Sequence, residues 1–174
     1  TVHPNDLGHA YAGKLLCAML ERARTAAVNP AETSLPAPLL THAFEFTTLF
    51  EAEALKPATN EGWVFDGAAE KNKCFKSAKP GSTIEFDVIG ERIFLTYWRI
   101  RGAMGKAKVT VDGGEPLTMD AWFDQTWGGY RQMMQIAKGK PGQHRVRVEL
   151  LAEKNPQSSG NEFRILCLGA AGVK

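Results

Sequence analysis

The sequence predicts a mainly β fold, an antiparallel β-sandwich of jelly-roll-like kind preceded by one α-helix. Three observations lead there. Apolar residues recur at three- and four-residue steps only near the start, at Leu7, Tyr11, Leu15, Ala18 and Met19. A stretch rich in proline follows, Asn29-Pro30-Ala31-Glu32-Thr33-Ser34-Leu35-Pro36-Ala37-Pro38. Beyond it the period becomes two, in seven or eight short runs parted by turn-forming residues, with no second helical pattern.

In order, the chain opens on His3-Pro4-Asn5-Asp6. Pro4 fixes its own φ and pushes His3 towards an extended conformation. Asn5 or Asp6 can cap the helix that follows. That helix is expected over Asp6 to Thr25, with Arg22 and Arg24 suiting the negative pole at its end. The proline-rich stretch excludes helix and central strand and reads as a linker. Strands are expected at Ala43–Phe46, Ile84–Val88, Ala107–Val111, Met133–Ala137, Val146–Leu150 and Phe163–Cys167. Ile93 to Trp98 is almost continuously apolar, as a strand covered on both faces would be. Asp112-Gly113-Gly114 is a tight-turn signal. Pro80-Gly81, Gly90, the glycines from Gly139 to Gly142, and the segment 155–161 are expected to break the strands. The expected division is 1–28 helix and histidine loop, 29–38 linker, 39–174 sandwich.

A chain of 174 residues suffices for one domain with a real core plus an extra helix. Its net charge of +2 predicts no attraction to nucleic acid or to a membrane surface. No apolar run approaches the roughly 20 residues that span a bilayer. Cys17, Cys74 and Cys167 lack metal-ligand spacing. Cys17 and Cys167 read as small core residues, and a Cys74–Cys167 bridge stays open for an exported protein. No metal and no cofactor is expected, because no His or Cys pair has zinc-like spacing and no loop carries the acidic calcium pattern; a calcium ion held by scattered carbonyls is the alternative.

His3-Pro4-Asn5-Asp6-Leu7-Gly8-His9, running into a helix, resembles the last block of the SGNH (GDSL-type) hydrolases. In that family the catalytic His follows an Asp by three residues and precedes Pro-Asn, a Gly-His and the final helix. The resemblance implies that His3 is the catalytic base, and that the one helix is left from an α/β hydrolase domain. The orienting Asp would stand one residue before Thr1. The Gly-Asp-Ser nucleophile block and the oxyanion blocks have no counterpart here. Ser34, Ser77, Ser82, Ser158 and Ser159 all lie in contexts unlike a nucleophile's. The resemblance covers about residues 1–25 and implies that this chain alone is inactive. Its partner would be the absent catalytic domain.

The later segment is similar to the β-sandwich modules attached to carbohydrate-active enzymes, including carbohydrate esterases of the SGNH group. Gly62-Trp63, Lys79-Pro80-Gly81-Ser82, Val111-Asp112-Gly113 and Gly142-Gln143-His144-Arg145-Val146 carry that likeness in order. Together the two likenesses imply the C-terminal portion of a carbohydrate acetylesterase, exported from a bacterial cell to the periplasm or medium. An autonomous carbohydrate-binding module and a purely structural brace are the alternatives.

The segment richest in chemistry is Asp120-Ala121-Trp122-Phe123-Asp124-Gln125-Thr126-Trp127-Gly128-Gly129-Tyr130-Arg131, expected as a long loop. Flat apolar rings and hydrogen-bonding groups alternate there, and a sugar needs that combination. The expected carbohydrate-binding set is Trp122, Trp127, Tyr130, Asp124 and Arg131. The same tryptophans would serve to plug one end of the sandwich, or the loop to complete a neighbouring catalytic cleft. Trp63 and Trp98 read as core, and His144 as a turn-region hydrogen-bonding residue. Lys71, Lys73, Lys76 and Lys79 form a basic cluster that reads as solvated, with attraction of an acidic polysaccharide the rival.

Overall fold

The computed structural model describes residues 3–26, 42–68 and 72–172. The expected linker 29–38 and Lys71 lie outside the described residues. The chain separates into two units, Thr1–Leu39 and Leu40–Lys174.

The first unit holds α1, Asp6–Thr25, with the limits the pattern predicts. Asn5 is the cap: its side-chain oxygen accepts from the Gly8 N–H at 2.9 Å. A side chain at Gly8 would place Cβ 2.8 Å from Pro4 Cβ, so glycine there lets the Pro-Asn segment fold over the first turn. Arg24 pairs with Glu21 one turn back. No described residue of α1 is buried. Leu7, Tyr11, Leu15 and Met19 are exposed along one stripe, and Cys17, expected in a core, is exposed with them. The stripe has the spacing of a buried face, but none of its residues is buried among the described residues.

The second unit is a curled antiparallel sheet folded into a sandwich. Its strands are β1 Thr48–Glu51, β2 Pro57–Glu61, β3 Val64–Asp66, β4 Cys74–Ser77, β5 Thr83–Arg99, β6 Lys106–Val111, β7 Leu117–Asp120, β8 Tyr130–Leu150 and β9 Phe163–Ala171. β5 and β8 are long, at 17 and 21 residues, and pair with each other from Thr83↔Glu149 to Arg99↔Tyr130. Each belongs to both layers. The first half of β5 pairs with β2, and its second half with β9. The second half of β8 pairs with β6, and β6 with β7. β1 and β4 share the far edge of β9, and β3 pairs with β4.

The crease falls at Gly90, where the β5–β8 register shifts. A Cβ at Gly90 would lie 2.9 Å from Ile93 Cδ1 and 3.0 Å from Ala170 Cβ, so only glycine fits the fold line. Opposite it, Gly90 pairs with Gly142 and Arg92 with Lys138, leaving 139–141 facing Glu91 alone. That bulge is where Pro141 sits, and its missing N–H costs no ladder bond. The glycines from Gly139 to Gly142 were expected to end a strand. Instead they bend one, and Met133–Ala137 and Val146–Leu150 become two halves of β8. Ala43–Phe46, expected as a strand, is a turn: the Glu45 N–H bonds the His42 carbonyl, and Phe46 has φ +52°. The Phe44 ring lies against Phe94 at 6.3 Å with the Arg92 guanidinium over it, so the two phenylalanines of this segment serve a turn.

Alternation sets the core elsewhere. Ile84, Phe86 and Val88 point in from β5, and Val146, Val148 and Leu150 from β8. Burying a ring such as Phe86 contributes about 2–3 kcal/mol. Outside, Glu85 and Asp87 face Arg147 and Arg145 across the pair, with Arg145 Nε 2.6 Å from Asp87 and Arg147 Nη1 2.8 Å from Glu85. These guanidinium groups hold both carboxyls below their ordinary range. Cys74 and Cys167 are buried and unbridged. Trp63 is buried as expected, and Trp98 is half-buried against the core.

Candidate functional site

Three consecutive residues at the end of β5 and just beyond it, Trp98, Arg99 and Ile100, organise the segment from Asp120 to Tyr130. The Ile100 N–H donates to the Ala121 carbonyl at 3.1 Å, and Ile100 bridges Trp122. Asp120 accepts from the Trp122 N–H at 2.9 Å and from Asn155 Nδ2 at 3.1 Å, so both its oxygens are engaged internally. Trp122 is thereby turned inward, and its ring joins the core at 7% exposure. Past Phe123 the chain runs outward through Asp124, Gln125 and Thr126 to Trp127. Gly128, at φ +123°, turns it back. Gly129 then passes over Trp98 so closely that a Cβ would lie 2.5 Å from that ring.

Arg99 fastens both ends of this excursion. Its Nη2 donates to the Trp122 carbonyl at 2.9 Å and its Nη1 to the Tyr130 hydroxyl at 2.9 Å. The Tyr130 hydroxyl in turn donates to Gln132 Oε1 at 3.0 Å. The guanidinium also lies 5.6 Å from the Phe123 ring centre and 5.9 Å from that of Tyr130. Phe123 meets Trp127 and Tyr130 edge to face at 5.2 and 4.9 Å, and Trp127 leans on Tyr130 at 6.1 Å. The three rings form a cluster whose outer member, Trp127, is 67% exposed. An exposed indole on a fixed support can stack a pyranose C–H face, and Asp124, bonded by Gln125 at 3.0 Å, adds polar groups on the same loop.

The structure divides the residues expected to bind carbohydrate. Trp127 and Tyr130 come together, and Asp124 is exposed on the same loop, where its contact is with Gln125. Trp122 has its ring in the core and offers the loop only its carbonyl. Arg131 is turned to β1, where its Nη2 meets Glu51 at 2.9 and 2.7 Å and the Cys167 sulfur at 3.6 Å. Alternation along β8 parts it from Tyr130. The segment is also less loop than expected: Trp122 is bridged to Ile100, and β8 begins at Tyr130. Phe123 and Arg99 are the members that composition did not single out; the only signal for Arg99 was a charged residue closing an apolar strand.

His3 is exposed on the segment before α1, beside the Asn5 cap. His144 bonds as expected of a turn residue. Its Nδ1 lies 2.6 Å from Asp112, and its Nε2 faces the Gly90 and Lys140 carbonyls at 3.1 and 3.2 Å. In the basic cluster Lys73 pairs with Glu53 and Lys76 with Asp66. No described helix is long and apolar enough to cross a membrane.

No family model matches the chain, and no curated protein does. Solved structures do. The chain is similar to a two-domain esterase (CEX) active on acetylated mannans, at 25% identity and TM-score 0.81, over 99% of this chain and 48% of that one. The same esterase co-crystallised with mannopentaose aligns at 26% identity and TM-score 0.80, again over 99% and 48%. CBM35 from Cellvibrio japonicus Abf62 aligns over 73% of this chain and 94% of its own, at 13% identity and TM-score 0.52. The chain therefore spans about half the length of the esterases it matches. Its β-sandwich has the fold of a carbohydrate-binding module.

Proposed function

We propose that the chain is the C-terminal portion of an SGNH-type carbohydrate acetylesterase, comprising the histidine loop and last helix of the catalytic domain (1–28), a linker (29–38) and a non-catalytic sandwich (39–174). The observation that carries this reading is the match to a two-domain esterase running through 99% of the chain, helix and sandwich alike. The uncovered apolar stripe of α1 supports it, since Leu7, Tyr11, Leu15 and Met19 have the spacing of a face packed against an α/β body.

In this reading His3 takes the proton of a serine supplied by the rest of the protein and later returns it to the leaving alkoxide. The family's pattern calls for an Asp three residues before the histidine to orient the imidazole. The Pro4-Asn5 cap holds the histidine at the helix entry, with Gly8 making room. The sandwich contributes binding through Trp127, Tyr130 and Asp124, and acetylated mannan is the substrate class. Export to the periplasm or medium belongs to the same reading, because polysaccharide is met there. Acetate release from acetylated glucomannan tests it. The protein extended upstream should be active and lose activity with His3→Ala, while the chain alone should release none.

A second reading, an autonomous carbohydrate-binding module, is favoured by the exposure of Trp127. It predicts retention of the isolated chain in a glucomannan gel.

A further inference from the structure

We infer that Arg99 is a positioning residue of a glycan platform, holding the Trp127 ring in a binding-ready pose through both ends of its loop. This rests on the carbohydrate-binding reading of Trp127. Trp127 is held by the rings that it touches. Its two ring neighbours are Phe123 and Tyr130, at 5.2 and 6.1 Å. Arg99 lies against both of these rings. It also binds the chain on either side of the excursion, at the Trp122 carbonyl and the Tyr130 hydroxyl, each at 2.9 Å.

Only a planar fork can serve both acceptors and both rings. A lysine would bring the charge and three donors on a single nitrogen, but not two parallel arms in a fixed plane. The support is also built from below. Gly129 rests on the Trp98 ring, and Ile100 holds Ala121 and Trp122 through the backbone. The loop between these anchors carries Asp124 and Gln125, which bond each other. With Arg99 in place, the indole and its polar neighbours are ordered before a ligand arrives. Without it, each binding event must order them, and affinity falls by that cost.

The ligand is a neutral pyranose chain. Its C–H faces suit an exposed indole. The Arg99 guanidinium lies against Phe123 and Tyr130, with both terminal nitrogens bonded and its Nε buried, so it is not offered to an anionic sugar.

The test uses the full chain labelled with 5-fluorotryptophan, with mannopentaose and soluble glucomannan as probes. Affinity is read by calorimetry and gel retention, and the Trp127 fluorine resonance is assigned by Trp127→Ala. Arg99→Lys and Arg99→Ala should each weaken binding about tenfold, because a side chain and its loop must be re-ordered. In both, the Trp127 resonance should move towards that of the free amino acid while that of Trp63, packed on Phe163 away from the loop, stays. Arg99→Lys keeps the charge and stem and serves as the folded variant should Arg99→Ala not fold. Wild-type affinity in Arg99→Lys with an unmoved Trp127 resonance overturns the inference and leaves the glycan reading standing. Retention of Trp127→Ala at the wild-type level, or none by the wild type on either probe, overturns the glycan reading and the inference with it.

Discussion

Replacing Asp112 by Asn should lower stability in a pH-dependent way that isolates one contact at the crease. Asp112 occupies the tight turn after β6 with φ +53°, a conformation that Asn tolerates as well as Asp. The Asn oxygen can still accept from the Arg145 N–H, now 2.8 Å from Asp112 Oδ1. What disappears is the charge facing His144 Nδ1 at 2.6 Å. The other nitrogen of that ring faces two carbonyls, Gly90 and Lys140, so every neighbour accepts and the imidazolium is favoured. The hydrogen bond to Asp112 is the main cause of the raised His144 pKa. The same bond, and then the Arg145 N–H, lowers the Asp112 pKa.

A histidine with a raised folded pKa lends stability that is complete below its unfolded pKa, about 6.5, and is lost as pH rises through the folded value. A lowered carboxyl lends stability above about 3.8 and loses it as pH falls further. The contact should therefore be worth most between about pH 4 and 6.5. A buried charged hydrogen bond contributes about 1.5–3 kcal/mol. Asp112 has a side chain 51% exposed, so screening reduces this to about 1 kcal/mol. Thermal unfolding should show Asp112→Asn melting about 3 °C below the wild type at pH 5.5, with the gap closing by pH 8.5. A gap that is constant across this range, or that widens with pH, would refute the ionic reading of the contact.

Three further outcomes follow from the same structure. Trp127→Ala should abolish retention in glucomannan gels without changing the melting temperature, because the ring is largely exposed; equal retention removes Trp127 from the site. Gly129→Ala should cost about 1–3 kcal/mol in chemical denaturation, since its Cβ meets the Trp98 ring at 2.5 Å; an unchanged midpoint would mean the loop does not rest there. Titration with a thiol reagent should label Cys17 at once and leave Cys74 and Cys167 until unfolding, because both are buried and burial raises the Cys74 thiol pKa; rapid labelling of Cys167 would contradict the packing of β9.

The parts of the fold governed by local chemistry were legible in the sequence. The limits of α1 follow from its cap and its period, and the inward sets of β5 and β8 from strict alternation. The tight turn at Asp112 follows from a residue pair that accepts positive φ. The length of β5 and β8 was not legible, because glycine and proline mark a bulge as readily as a strand end, and only pairing across the crease tells them apart. Ala43–Phe46 alternates like a strand, yet Phe44 is drawn onto Phe94 from a distant part of the chain.

The site shows the same division. Composition pointed to the segment from Asp120 to Arg131 but did not say which rings face out. That depends on Asp120, whose two oxygens are bound by Trp122 and Asn155 and turn the Trp122 ring inward. Arg131 left the set because the alternation of β8 points it at Glu51. Arg99 entered from twenty-odd residues away, and its role exists only once Trp122 and Tyr130 are brought to its two arms.

The most direct test of the account is acetate release from acetylated glucomannan by the chain alone and by the protein extended upstream through its catalytic region, each with and without His3→Ala. The account predicts no release by the chain alone, release by the extended protein, and loss of that release on His3→Ala. Turnover by the chain alone, or full activity of the extended His3→Ala protein, would contradict it.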